Sequence, residues 1–226
     1  MRLRVVSYNV HGLGDDLAAL TAAVRELEPD VLVVQEGPRR FRWRGRCGRL
    51  AQSLGMVYAG GGLPSLGNVV LTTLRVRAHE HWTVQFPLTP GRHLRGGVFV
   101  RCSVGRTPFV VAGSHLATDA AERPQQALIL KKLLSEVDVP VILGVDLNET
   151  SGGGAWRTVA DGLVDAAEAT GQAGTATYPV VGASQRLDAI LVDPAFEVTG
   201  YRVVDTPRTR LASDHFPVLA DLVLPG

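Results

Sequence analysis

Ser213-Asp214-His215-Phe216-Pro217-Val218 sets a carboxylate and an imidazole at the mouth of the final apolar run, Val218 to Leu224. The same arrangement recurs along the chain. Asn9 closes the run Leu3 to Asn9, and Gln35-Glu36 closes Val31-Leu32-Val33-Val34. His115 closes Phe109 to Ser114, and Asp146 and Asn148 follow Val139 to Leu143. Asp188 sits inside Arg186 to Val192. A buried strand has no use for such groups, because burying one unpaired is costly. Their position at strand ends therefore predicts one shared polar site at one edge of the sheets. Hard oxygen ligands together with two histidines suit a divalent cation and a phosphate ester.

Working outward, strands alternate with helices. Asp15 or Asp16 can cap a helix over Leu17 to Leu27, where Leu17, Leu20, Val24 and Leu27 recur at helical spacing. A second helix is expected over Arg42 to Leu54, ended by Gly55, and a long third one from Asp119 through Leu134. The middle reads as strands at 57–59, 68–74, 77–84, 97–104 and 109–112, separated by Gly- and Pro-rich turns. Further strands are expected at 139–143, 187–192, 197–204 and 218–224, with a short helix near Trp156. If the two ends of the site are to meet, the C-terminal strand shares a sheet with the first. Roughly a dozen strands in two groups with a few helices fit an α/β sandwich of two sheets covered by helices.

The 226 residues suit a single domain, 1–226, and 46% hydrophobic residues allow a sizeable core. A formal charge of +1 gives no strong overall field toward nucleic acid or membrane. Lys131 and Lys132 are the only lysines. Cys47 and Cys102 form no CxxC pair and are too few for a zinc site or a disulfide framework. Met1-Arg2-Leu3-Arg4-Val5 passes straight into a strand with no signal-like segment, and no apolar run approaches ~18 residues. A cytoplasmic protein without a membrane span is expected, with a monomer favoured.

The ordered motifs Ser7-Tyr8-Asn9-Val10, Gln35-Glu36, Gly67-Asn68, Gly113-Ser114-His115-Leu116, Asp146-Leu147-Asn148, Arg186-Leu187-Asp188 and Ser213-Asp214-His215 span almost the whole chain. Each alone is weak, but together and in this order the chain resembles the endonuclease/exonuclease/phosphatase superfamily. That superfamily includes DNase I-like nucleases, abasic-site exonucleases, sphingomyelinases and inositol-polyphosphate phosphatases. The resemblance implies a four-layer α/β sandwich of two mixed β-sheets flanked by helices. One departure is Gly144-Val145-Asp146, where the family has glycine directly before the aspartate.

The resemblance also implies roles. Glu36, Asn9 and Asp214 would hold Mg²⁺, with Mn²⁺ able to substitute. Asp146 would orient or deprotonate the attacking water, and Asn148 would help place it. His215 would pair with Asp188 and act as a general base or as a charged phosphate clamp, the two remaining open. His115 would be a second phosphoryl donor. Alone it would read as a packed or surface histidine, and His11 reads as incidental.

Arg39, Arg40, Arg42, Arg44, Arg46 and Arg49, interleaved with Phe41 and Trp43, follow Glu36 and suit a nucleic-acid backbone with base stacking. A solvated helix face is the bland alternative. Arg95 and Tyr178 are candidate substrate contacts, as are Arg40 and Asn68, although Asn68 after Gly67 could simply cap a turn. The expected activity is metal-dependent phosphodiester hydrolysis of nucleic acid, DNA favoured, by in-line attack of water. Two alternatives stand: hydrolysis of a small phosphorylated metabolite or lipid headgroup, and a non-catalytic nucleic-acid-binding module.

Overall fold

The computed structural model describes residues 1–225. In chain order the strands are β1 (Arg2–Asn9), β2 (Val31–Gln35), β3 (Val57–Gly61), β4 (Val69–Thr72), β5 (Arg77–Gln85), β6 (Gly96–Val104), β7 (Thr107–His115), β8 (Val141–Asp146), β9 (Val164–Asp165), β10 (Asp188–Val192), β11 (Glu197–Val203) and β12 (Val218–Val223). The helices are α1 (Leu17–Leu27), α2 (Trp43–Leu54), α3 (Arg123–Ser135), α4 (Gly154–Ala160), α5 (Ala166–Ala169) and α6 (Thr209–Ala212).

Local chemistry explains the helix boundaries. Asp16 caps α1 by accepting from the Ala18 and Ala19 amides, and the helix buries Leu20, Ala23, Val24 and Leu27. Leu17, expected on that inner face, is instead half exposed at the first turn. The third helix starts at Arg123, four residues later than the periodicity suggests. Pro124 must sit in the first turn, where its missing N–H costs nothing. Asp119 makes a turn instead, accepting from the Ala121 amide. Pro140 likewise delays β8, which then runs on through Asp146. The short β9, α5 and α6 carry too few residues for a periodic signal.

The strands form two six-stranded sheets, ordered β11-β12-β1-β2-β4-β3 and β5-β6-β7-β8-β10-β9. Each has one parallel pair, β1 with β2 and β7 with β8, and the remaining pairs are antiparallel. A parallel pair needs a crossover, supplied by α1 in the first sheet and α3 in the second. β12 lies beside β1, with Ser7 opposite Val218. The chain's two ends therefore share one sheet, as expected.

Three apolar layers hold the sandwich together. Val5, Val33, Val111, Ile142, Ile190 and Val218 interlock between the sheets. α1 and α2 cover the outer face of the first sheet, and α3 and α4 cover that of the second. The sheets approach closely beneath the polar edge. A Cβ on Gly144 would lie 2.8 Å from the Val33 Cβ and 2.9 Å from Ser7 Oγ. Gln35 bridges the same gap, donating to Ser7 Oγ at 3.0 Å and to the Gly144 carbonyl at 3.3 Å. Val145 points the other way, into the layer under α3 and α4. The departure from glycine therefore leaves β8 unbroken and Asp146 at its end.

Candidate active site

The carboxyl ends of both parallel pairs meet at one edge. There β1 supplies Asn9, β2 leads into Glu36, β7 ends on His115 and β8 ends on Asp146. Register adds the next group: β10 is antiparallel to β8, and Asp188 pairs directly with Asp146. The 213–215 segment enters just ahead of β12. Ser213 Oγ donates to the Asn9 carbonyl at 2.7 Å, which ties the C-terminal motif to the N-terminal one.

Asp146 is fully buried at the centre. Asn9 Nδ2 donates to its Oδ2 at 2.8 Å, and the Asn148 amide donates to its Oδ1 at 2.9 Å. Burial, and then the neighbouring Asp188 charge, hold the Asp146 carboxyl above the usual carboxylate range, against the pull of His215 and these hydrogen bonds. His215 Nδ1 lies 2.9 Å from Asp188 Oδ2, and its Nε2 lies 3.9 Å from Asp146 Oδ2. Burial pulls this imidazole down. The charge and hydrogen bond of Asp188, helped by Asp146 and Asp214, outweigh that and lift it to about 10. His215 is thus a charged imidazolium anchored through Nδ1, with its Nε2–H turned toward Asp146.

His115 is the opposite case. Burial, then the positive charges of Arg95, His215 and Arg39, push it well below its ordinary value, so it is neutral. Arg95 Nη1 donates to its Nδ1 at 3.0 Å. A neutral imidazole accepts at one nitrogen only, so Arg95 at Nδ1 and Asn148 at Nε2 cannot both donate to it; Nε2 also lies 3.2 Å from Asp146 Oδ2. Asn148 Nδ2 also lies 2.8 Å from that nitrogen and donates to the Leu116 carbonyl at 2.9 Å. Arg95 itself is buried, and burial holds its guanidinium below its ordinary value against the opposing pull of Glu36 and Asp146.

Glu36 and Asn148 adopt left-handed backbone, with φ of 56° and 48°. Asparagine tolerates this and glutamate does so less readily, a departure typical of functional turns. The Glu36 carboxylate receives no hydrogen bond among the described residues, and its nearest basic nitrogen is Nδ1 of the neutral His115, 3.9 Å away. Asp214 is 4.0 Å from His11 Nε2. His11, read from the sequence as incidental, therefore borders the site. Its imidazole is raised chiefly by a 2.8 Å hydrogen bond to Asp15.

The other sequence candidates divide. Tyr178 packs against His215, ring centroids 4.6 Å apart and tilted by 38°. Arg40 is exposed. Asn68 is buried, and its amide donates to the Ser65 and Gly96 carbonyls at 2.7 and 3.0 Å. That nitrogen serves the scaffold, while its Oδ1 is buried without a partner. Thr177 was missed. Its buried hydroxyl accepts from the Leu187 and Asp188 amides at 3.0 and 3.3 Å and so positions Asp188. Glu149 and Arg123 were missed too. Glu149 accepts from the Ala155 and Trp156 amides and from Arg123, which also donates to the Ala117 and Thr118 carbonyls. The pair locks the His115 loop to the Asn148 loop, and neither residue carries a sequence signal beyond following a motif.

Four carboxylates, Glu36, Asp146, Asp188 and Asp214, thus surround two cationic groups, Arg95 and His215. Asp188 Oδ1 is buried without a partner. An excess of oxygen anions with one orphaned oxygen fits a divalent cation. Asp146, Asp188 and His215 each bring a ligand atom within 4.8 Å of the others.

Comparison with known proteins agrees with this geometry. The sequence profile described as the Endonuclease/Exonuclease/phosphatase family matches residues 6–215. No curated protein matches the chain by sequence. Among solved structures, an endonuclease/exonuclease/phosphatase from Beutenbergia cavernae DSM 12333 superposes with a TM-score of 0.78 at 25% identity, over 100% of this chain and 72% of that one. A mannosyl-6-phosphatase from Bacteroides thetaiotaomicron VPI-5482 gives 0.79 at 19% identity, over 98% and 100%. TDP2 of D. rerio, complexed with a single-strand DNA product, gives 0.78 at 18% identity, over 98% and 99%. The profile match covers every motif from Ser7 to His215, and the chain belongs to the endonuclease/exonuclease/phosphatase family of phosphoester hydrolases.

Proposed function

We propose that this protein is a Mg²⁺-dependent phosphodiesterase acting on DNA, with Mn²⁺ able to substitute. Glu36, Asn9 and Asp214 would hold the cation. The cluster of Asp146, Asp188 and His215 is close enough to chelate. Its histidine nitrogen, however, is already committed to Asp188 in charged form, which favours the Glu36 side. When bound, a divalent cation neutralises phosphoryl charge and stabilises the leaving oxygen.

The protein's own groups supply the rest. Asp146, a stronger base than an ordinary aspartate, takes the proton of the attacking water as the water oxygen bonds to phosphorus and the ester P–O bond breaks. His215, positively charged, donates Nε2–H to a phosphoryl oxygen. Its elevated value makes it a clamp rather than the general base. Neutral His115, Asn148 and Arg95 offer fixed donors on the other side. Tyr178 flanks His215 and limits how the substrate lies.

The observation that carries the DNA reading is the charge pattern beside Glu36. Six arginines, Arg39, Arg40, Arg42, Arg44, Arg46 and Arg49, follow Glu36, and no aspartate or glutamate lies among them. One phosphate needs Arg95 and His215 but not a basic surface of that extent. Plasmid and a panel of phosphate monoesters, each with Mg²⁺, Mn²⁺ or EDTA, test the assignment against the Asp146→Asn protein. EDTA-sensitive nicking that the variant lacks is expected. Phosphate release from monoesters with intact plasmid would move the substrate to a small phosphorylated metabolite, a reading that the mannosyl-6-phosphatase likeness keeps open.

A further inference from the structure

A groove of about 520 Å³ runs down the flank of the sandwich, lined by Trp43, Arg44, Tyr58, His81, Trp82 and Thr83. It lies where β3, the edge of one sheet, meets β5, the edge of the other. The turn after β3 connects it to the Glu36 segment. Gly62 abuts the Trp43 ring, and within the same turn Gly67 abuts Arg39 and the Glu36 backbone.

The lining is unusual for a solvated flank. Trp82 is half-buried, stacked on Phe99 at 5.4 Å with its ring nearly parallel. Arg44 lies over the Trp43 ring at 4.5 Å. At the rim, Phe41 is 84% exposed and Arg42 sits 5.4 Å over it. A water-facing phenylalanine under a guanidinium gains little in the free protein. Arg40, Arg42 and Arg44 form no ion pair among the described residues. The chain's formal charge is only +1, so this concentration of charge is local. Two partly buried indoles and Arg44 line the groove, and unneutralised Arg40 and Arg42 precede it in the same segment; this composition complements a polyanion whose bases are free to stack, and such bases belong to a single strand.

We propose that this groove binds single-stranded DNA leading into the active site, with bases stacked on Trp43 and Trp82 and phosphates on Arg40, Arg42 and Arg44. The inference rests on the phosphodiesterase reading above and gives it a strand preference.

The chain reports on itself, because Trp43, Trp82 and Trp156 are its only tryptophans and Trp156 is buried beneath Arg186. The Asp146→Asn protein in Mg²⁺ is titrated with dT12 while tryptophan emission is followed, and wild type is assayed in parallel for cleavage of dT12. Saturable quenching is expected, weakening with salt and weaker for a 12-bp duplex. Trp82→Ala should weaken binding about tenfold. Arg44→Ala, a surface change that keeps the test available if the tryptophan variant does not fold, should make the logarithmic salt dependence shallower by about 0.7. Cleavage without quenching would overturn the groove and leave the phosphodiesterase reading standing. Quenching without cleavage would support the groove and remove that reading. Equal quenching by duplex would overturn the single-strand preference, and neither signal would overturn both proposals.

Discussion

Replacing Asp188 by Asn keeps the shape of the buried pair and removes its charge, and the consequence can be worked from the structure. Asp188 and His215 are almost wholly buried, 2.9 Å apart. Folding lifts His215 from 6.5 to about 10. The folded state therefore binds this proton more tightly than the unfolded chain. The resulting stability is fully present below about pH 6.5 and is lost as pH rises through about 10. The full contribution is on the order of 5 kcal/mol, most of it disappearing between pH 7 and 10. In Asp188→Asn the burial that pulls His215 down remains, while the charge that raised it is gone. The variant should be less stable than wild type at pH 6 by several kcal/mol and nearly level across pH 7–10. Urea unfolding of both proteins at half-unit pH steps, with EDTA present, measures the two profiles. Parallel profiles over that window would refute the reasoning, because they would mean that Asp188 is not what holds the imidazolium.

Other perturbations probe separate parts of the design. Glu36→Gln should raise the Mg²⁺ concentration for half-maximal activity at least tenfold while leaving the thermal midpoint nearly unchanged, as a metal titration would show; an unaltered midpoint of that titration would place the cation elsewhere. Asp165→Ala should cost about 3–5 kcal/mol in urea unfolding, because the Arg186 guanidinium, held by Asp165 at 2.9 and 3.1 Å, would be left buried without its partner. Gly144→Ala, which forces a methyl against Val33 and Ser7, should cost about 1–3 kcal/mol; a neutral result would mean that the sheets separate more freely than their packing implies.

Much of this was legible before any coordinates. Strand-end Asn9, Glu36, His115 and Asp146 announce themselves because each follows a run too apolar to have a use for it. The expected helix at 119–134 misplaced its start because apolar periodicity ignores what Pro124 requires. Asn68 and Arg95 look alike as candidates in the sequence but make different contacts. One spends its amide on backbone carbonyls, and the other holds His115. Nothing local distinguishes them, since both depend on the β6–β7 hairpin that brings Gly96 opposite His115. His11 was set aside for the same reason: its proximity to Asp214 spans more than two hundred residues of sequence.

The sequence by itself determined that one polar, oxygen-rich site closes the ends of buried strands, because the cost of burying polar groups leaves them nowhere else to go. It also determined the family and thus the two-sheet sandwich. Protonation was decided only by the tertiary structure. The antiparallel pairing of β8 with β10 sets Asp146 opposite Asp188, which raises one carboxyl and gives His215 its charge. Burial beside Arg95 keeps His115 neutral a few ångströms away. Two histidines indistinguishable as letters hold different charge states because their neighbours are assigned by register and burial, which exist only once the chain has folded.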